Sequence, residues 1–324
     1  MSHAPVRIVY MGTPEFAVAP LDELVKAGNR IVGVVTAPDK PSGRGKKLQS
    51  PAVRQYADEH LSCPVFQPEK LRDPEFADSL RALEADIFMV VAFRMLPEVI
   101  WKLPPKGTVN LHASLLPQYR GAAPINWVIM NGEEETGVTT FLIDEEIDTG
   151  RILMREKVWI GGDETAGSLH DRLMVTGSEL VVRTVDGLAS GNLQATEQSA
   201  FDIPVGALKK APKIYREDCR INWMDQTRSL HNLVRGLSPY PGAFCYLSCD
   251  GNDELQVKIF ETRPSKSIER RNAGSLRVEK QQLYVQTGDG ELEVISLQPA
   301  GKRRMTAADF LNGFHGEIRA CKMV

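Results

Sequence analysis

Cysteine is scarce in this chain. Five residues in 324 (Cys63, Cys219, Cys245, Cys249 and Cys321) are scattered and odd in number, which argues against a disulfide framework and leads us to expect reduced thiols. Long apolar runs are missing too: nothing approaches the roughly 18 consecutive apolar residues of a membrane span. Residues 1–5 lack the basic start and apolar run of a secretory signal, so the expectation is a cytoplasmic protein without a membrane partner. No cysteine or histidine pattern has zinc spacing, and neither G-x-S-x-G nor G-x-x-x-x-G-K-[ST] occurs. Internal repeats and low-complexity tracts are also lacking. These absences exclude small secreted scaffolds, integral membrane helices, P-loop enzymes and serine hydrolases of the nucleophile-elbow type.

What is present is ordinary soluble-protein composition, 42% hydrophobic and 25% charged. A prior of roughly 150 residues per domain gives about two domains. In the first half, apolar runs at residues 6–11 (VRIVYM), 31–36 (IVGVVT), 64–66, 86–92 (DIFMVVA) and 108–112 (TVNLH) predict strands. Helical segments are expected between them at about 14–27, 52–60 and 73–84. Continuous apolar strands alternating with helices imply an α/β domain with a parallel sheet covered on both faces.

The second half changes period. A long helical segment at about 165–189 ends in Ser190-Gly191-Asn192, and a polar stretch follows. A short helix at 226–235 then precedes alternating strands at 243–249, 255–262, 274–279, 283–286 and 292–297. Short alternating strands set off by turn residues suggest a small β-barrel or sandwich. The predicted boundaries are 1–189 for the first domain, 190–207 for a linker and 208–324 for the second domain.

The formal net charge of −3 conceals an asymmetry. Residues 1–206 carry 20 Lys and Arg against 28 Asp and Glu, whereas residues 207–324 carry 19 against 14. A basic β domain joined to an acidic domain is a reason to consider an anionic partner for the former. One loop of the acidic half is itself basic: Lys40, Arg44, Lys46 and Lys47 stand against Asp39 on a backbone broken by proline and glycine. Its cations are free to meet phosphates.

Candidate chemistry concentrates at two places. In Val109-Asn110-Leu111-His112, strand alternation puts Asn110 and His112 on one face, near the C-terminal end of a parallel strand where open α/β sheets bind ligands. An amide and an imidazole side by side are two convergent donors, as needed to hold an oxyanion. The acidic run Asp144-Glu145-Glu146-Ile147-Asp148 could supply a carboxylate beside His112 to fix its tautomer. It could equally be a solvated turn or a cation site, but it lacks EF-hand spacing, which argues against a dedicated calcium loop. The turn Met11-Gly12-Thr13-Pro14-Glu15-Phe16 has one glycine where a dinucleotide site wants G-x-G-x-x-G, which disfavours an NAD oxidoreductase.

Together these residues resemble the folate-dependent formyltransferases. The resemblance runs through Met11-Gly12-Thr13-Pro14-Glu15-Phe16, Gly43-Arg44-Gly45-Lys46-Lys47-Leu48, Asn110-Leu111-His112-Ala113-Ser114-Leu115-Leu116-Pro117 and Tyr119-Arg120-Gly121-Ala122-Ala123-Pro124-Ile125. It continues in Glu133, Gly137-Val138-Thr139, Asp148-Thr149-Gly150 and Leu297-Gln298-Pro299-Ala300-Gly301-Lys302. The basic loop and the C-terminal segment point to the branch that acts on tRNA rather than on small amines.

The resemblance implies a Rossmann-like parallel-sheet formyltransferase domain followed by an OB-like β-barrel. It implies transfer of a formyl group from 10-formyltetrahydrofolate to methionyl initiator tRNA, by attack of the substrate amine itself, without a metal. Asn110 and His112 would stabilise the oxyanion, and Asp148 would orient His112 and assist proton transfer. Ser114, Leu115, Leu116 and Pro117 match the folate-contacting segment. Arg44, with Lys46 and Lys47, would meet the tRNA while the basic domain grips backbone phosphate. Family members often carry Ala-Tyr-Gly where this chain has Ala92-Phe93-Arg94, so residues 93–95 stay outside the expected site. A monomer is expected, since no separate dimerisation segment stands out. The competing readings are a formyltransferase for a nucleotide sugar and an RNA-binding protein that has lost catalysis.

Overall fold

The computed structural model describes residues 5–42, 47–201, 203, 206–249, 254–265, 271–314 and 318–324. In chain order its elements begin β1 (Arg7–Gly12), α1 (Val18–Lys26), β2 (Arg30–Val35), β3 (Lys40–Ser42), β4 (Lys47–Gln49), α2 (Ala52–His60), β5 (Val65–Phe66), α3 (Pro74–Arg81), β6 (Ile87–Val91) and α4 (Glu98–Trp101). They continue with β7 (Thr108–His112), β8 (Arg120–Gly121), α5 (Pro124–Met130), β9 (Glu135–Leu142), β10 (Ile152–Trp159), α6 (Ala166–Ser190) and β11 (Lys210–Ala211). The last are α7 (Thr227–Gly236), β12 (Ala243–Cys249), β13 (Leu255–Ser265), β14 (Leu276–Glu279), β15 (Gln282–Gln286), β16 (Glu291–Pro299), β17 (Met305–Thr306), α8 (Ala307–Asn312) and β18 (Cys321–Met323).

The first sheet has the order β10-β9-β7-β6-β1-β2-β5. The five strands expected from apolar runs form its parallel part. Every residue of β6 is buried, because helices cover both faces. Local chemistry sets the helix ends. Asp73 caps α3 by accepting from the Glu75 amide at 3.1 Å, and Pro74 occupies the first turn. Strand order reverses between β1 and β6, so their C-terminal ends flank the crevice where such sheets take ligands. Gly12 closes β1 there: a Cβ would lie 2.7 Å from the Ala17 Cβ and 3.1 Å from the Val91 carbonyl oxygen. β9 and β10 then add antiparallel strands beyond β7, with His112 opposite Thr139.

The second sheet runs β14-β15-β16-β13-β12-β18, with β17 on β16, and all its pairings are antiparallel. Its two ends meet: the Met323 amide donates to Gly274 at 2.9 Å, and Ser275 bridges Lys322. The result is a nearly closed antiparallel barrel. Alternation fills its interior with Val257 and Ile259, Leu283 and Val285, and Leu292 and Val294, against Leu230 and Val234 of α7 and Leu237 just after it.

The chain divides into two compact units in a way the period change does not mark. Residues 1–121, 135–159 and 170–210 form one; residues 122–134, 160–169 and 211–324 form the other. By this division residues 190–201 fall in the first unit, and α5 lies in the second, where the Asn126 amide donates to Gly236 at 2.8 Å. One expectation is overturned. Cys249 and Cys321 are joined by a disulfide, while Cys63, Cys219 and Cys245 are free. The partners are 72 residues apart and come opposite each other only when β18 pairs with β12, a register no local pattern announces.

Candidate active site

β7 carries the expected pair to the C-terminal edge of the sheet. His112 is buried and Asn110, two residues earlier on the same face, is half-buried. The His112 ring has two defined neighbours. Its Nε2 lies 2.9 Å from the carbonyl oxygen of Tyr119, and its Nδ1 lies 3.8 Å from Asp148 Oδ2. A carbonyl oxygen only accepts, so Nε2 carries a proton and donates it, and Nδ1 is the ring nitrogen turned toward Asp148. A main-chain group therefore sets the tautomer, a role the sequence suggested for a carboxylate. The separation from Asp148 is too long for a hydrogen bond.

Of the four acidic side chains in 144–148, Asp148 alone approaches His112. Asp144, Glu145 and Glu146 are exposed, and Asp144 Oδ1 accepts from the Thr149 hydroxyl at 2.7 Å and the Glu146 amide at 3.2 Å, which folds the turn. Asp148 adopts φ 57°, a left-handed conformation that aspartate tolerates better than most residues. Its Oδ2 accepts from the Gly121 amide at 2.9 Å. Among the described residues no group of three or more metal-ligating side chains gathers.

The Ser114–Pro117 segment continues directly from β7. Thr139 of β9 staples it: the hydroxyl donates to the Ser114 carbonyl at 2.6 Å and accepts from the Leu116 amide at 3.1 Å. Ser114 Oγ donates to the Gln118 carbonyl at 2.6 Å. Leu116 and Pro117 are buried, Leu115 is half-buried, and the Leu116–Pro117 peptide is cis. Arg155 of β10 donates to the Leu116 carbonyl at 3.0 Å, with its guanidinium 3.8 Å from the Phe201 ring centroid. Burial pushes the Arg155 pKa down.

After β6, Arg94 turns back to donate to the carbonyls of Pro68 (2.7 Å) and Glu69 (3.2 Å), and its Nε is buried with no partner among the described residues. Arg44 and Lys46 lie outside the described residues. Lys47 opens β4, whose backbone pairs with β3, and its side chain is likewise outside them. Sequence reasoning missed Tyr119 and Gly121 as holders of His112 and Asp148, although both stand in a quoted motif. It missed Thr139 and Gln198 as well. Gln198 has no local signature, because its partners are 48 to 78 residues away.

Comparison with known proteins bears on what such a site belongs to. A family model described as formyl transferase matches residues 6–185, and one described as formyl transferase, C-terminal domain, matches residues 213–315. A methionyl-tRNA formyltransferase of Azobacteroides pseudotrichonymphae genomovar. CFP2 is 48% identical over 316 residues, 97% of each chain. The methionyl-tRNA formyltransferase of Parabacteroides distasonis is 49% identical over 316 residues, again 97% of each. Among solved structures, HypX from Aquifex aeolicus in complex with tetrahydrofolic acid has a TM-score of 0.63 over 95% of this chain and 47% of that one, at 18% identity. The sugar 3N-formyl transferase WlaRD gives 0.62 over 93% and 100%, also at 18% identity. These two likenesses speak for the fold alone. With a family model across more than half its length and near-half identity to end-to-end relatives, this chain belongs to the formyl transferase family.

Proposed function

We propose that the chain transfers a formyl group from 10-formyltetrahydrofolate to the α-amino group of methionyl initiator tRNA. Relatives close to half identical over 97% of both chains carry the name methionyl-tRNA formyltransferase, which supports tRNA as acceptor. The observation that carries the chemistry is the His112 ring, with Nε2 bonded to Tyr119 and Nδ1 left uncommitted beside Asp148.

In this reading the substrate amine attacks the formyl carbon, and the formyl bond to the donor nitrogen breaks. Negative charge builds on the formyl oxygen between the two steps, and Asn110 and the protonated His112 donate to it. Asp148 stabilises the imidazolium and relays the proton that the amine loses to the departing nitrogen of the folate. No enzyme nucleophile or metal enters this scheme. Ser114, Leu115, Leu116 and Pro117 would line the folate site. The stapling of their backbone by Thr139 would hold that segment rigid against the ligand.

Arg44, Lys46 and Lys47 would meet phosphates near the acceptor end, and the basic half from residue 208 would hold the tRNA body. The same reading keeps the catalytic residues within the expected domain 1–189 and the protein as a cytoplasmic monomer. Among the described residues no helix is long and apolar enough to cross a membrane. The test is formylation by the purified protein with 10-formyltetrahydrofolate and several amines. Formyl-methionine on initiator tRNA is expected, whereas exclusive formylation of a nucleotide-linked amino sugar would replace this reading.

A further inference from the structure

Gln198 lies in the stretch that the sequence presents as a linker, yet it is only 6% exposed. Both ends of its side-chain amide are engaged. Nε2 donates to the carbonyl oxygens of Asp148 and Gly150, each at 2.9 Å. Oε1 accepts from Arg120 Nε at 3.1 Å and Nη2 at 2.6 Å. Two backbone hydrogen bonds of 2.8 Å between Ile152 and Thr196 tie down the segment just before it.

The turn so gripped is the one that presents the carboxylate. Asp148 sits in the left-handed region, where its backbone is not held by strand or helix bonds. Gly150 admits no side chain, because a Cβ there would lie 1.7 Å from the Leu142 carbonyl oxygen. Three consecutive residues complete the circuit: Tyr119 accepts from His112, Arg120 grips Gln198, and Gly121 donates to Asp148 Oδ2. A neutral amide suits this place because it donates to two carbonyls while accepting from a guanidinium. Glutamate at the same position could satisfy Arg120 but would repel both carbonyls, and methionine could do neither.

We propose that Gln198 is a positioning residue for formyl transfer, holding the main chain of Asp148 so that its carboxylate stays beside His112 Nδ1. This rests on the roles given to Asp148 and His112 above. It assigns the supposed linker a part in the chemistry of the first unit.

The test is a double-mutant cycle. Gln198→Met and Gln198→Glu are made in the wild-type chain and in Asp148→Asn, with kcat and KM measured for whichever acceptor the wild type formylates fastest. Rates are normalised to the folded fraction from circular dichroism. In the wild-type background each change should lower kcat by about 100-fold, as a misplacement near 1 Å does, with KM for both substrates nearly unchanged. In the Asp148→Asn background the same change should cost less than about threefold, because the group it positions is already gone. Equal losses in both backgrounds, or losses that vanish on normalisation, would overturn the proposal. Wild-type activity toward a small amine but not tRNA would refute the acceptor assignment and still allow this cycle. A wild type inert toward every acceptor would sink both.

Discussion

The carbonyl oxygen of Tyr119 lies 2.9 Å from His112 Nε2, and Tyr119 itself stands at φ 59° to present it. A backbone group thus holds one edge of the imidazole and leaves the other toward Asp148. An imidazole held this way keeps its ring orientation fixed, which suits the oxyanion-donor role proposed for it.

His112→Ala should therefore lower kcat by a factor on the order of 10³, within the range of positioned acid–base and donor groups. Thermal melting and tRNA binding by filter retention should stay close to wild type. Near-normal turnover would remove His112 from the mechanism.

Arg44→Ala tests the basic loop. We expect a raised KM for methionyl initiator tRNA, an unchanged KM for 10-formyltetrahydrofolate, and a salt dependence of tRNA binding shallower by about 0.7 to 0.9 in log–log slope for one lost phosphate contact. An unaltered slope would mean that the loop does not meet phosphate.

Asp289 accepts from the Thr227 amide at 2.7 Å and its hydroxyl at 2.8 Å, at the start of α7. These hydrogen bonds, the amide's foremost, hold its carboxyl below the usual carboxylate value. A depressed folded-state pKa stabilises above the unfolded value of about 3.9, and that stability drains away as pH falls through the lower folded value. Asp289→Ala should cost about 1 kcal/mol at pH 7, as losing a helix cap does, with the difference shrinking below about pH 4. Urea melts at the two pH values decide it, and a pH-independent difference would show that the charge plays no part.

Thiol chemistry reports on the barrel. Cys245 is wholly buried, and burial pushes its thiol up to about 12, so it should resist alkylation in the native protein and react once unfolded. In denaturant without reductant, mass spectrometry should find Cys63, Cys219 and Cys245 labelled and Cys249 and Cys321 unlabelled. Labelling of Cys321 before reduction would refute its pairing.

Sequence periodicity by itself marked the five parallel strands and the alternating strands of the second half. Period-two alternation put Asn110 and His112 on one face, and the change from buried runs to alternating strands separated an α/β half from a β half. These follow from backbone geometry, which acts within a few residues and leaves its mark in the order of side chains. Tertiary structure decided which groups complete the site. Gly121 and Gln198 reach Asp148 across 27 and 50 residues, and Cys321 meets Cys249 across 72. Gln198 and Cys321 sit in segments whose local pattern reads as polar connector or tail. Such pairs form when strands close a sheet or a barrel, and the free energy that selects them comes from burying distant surfaces together, which no short window of sequence contains.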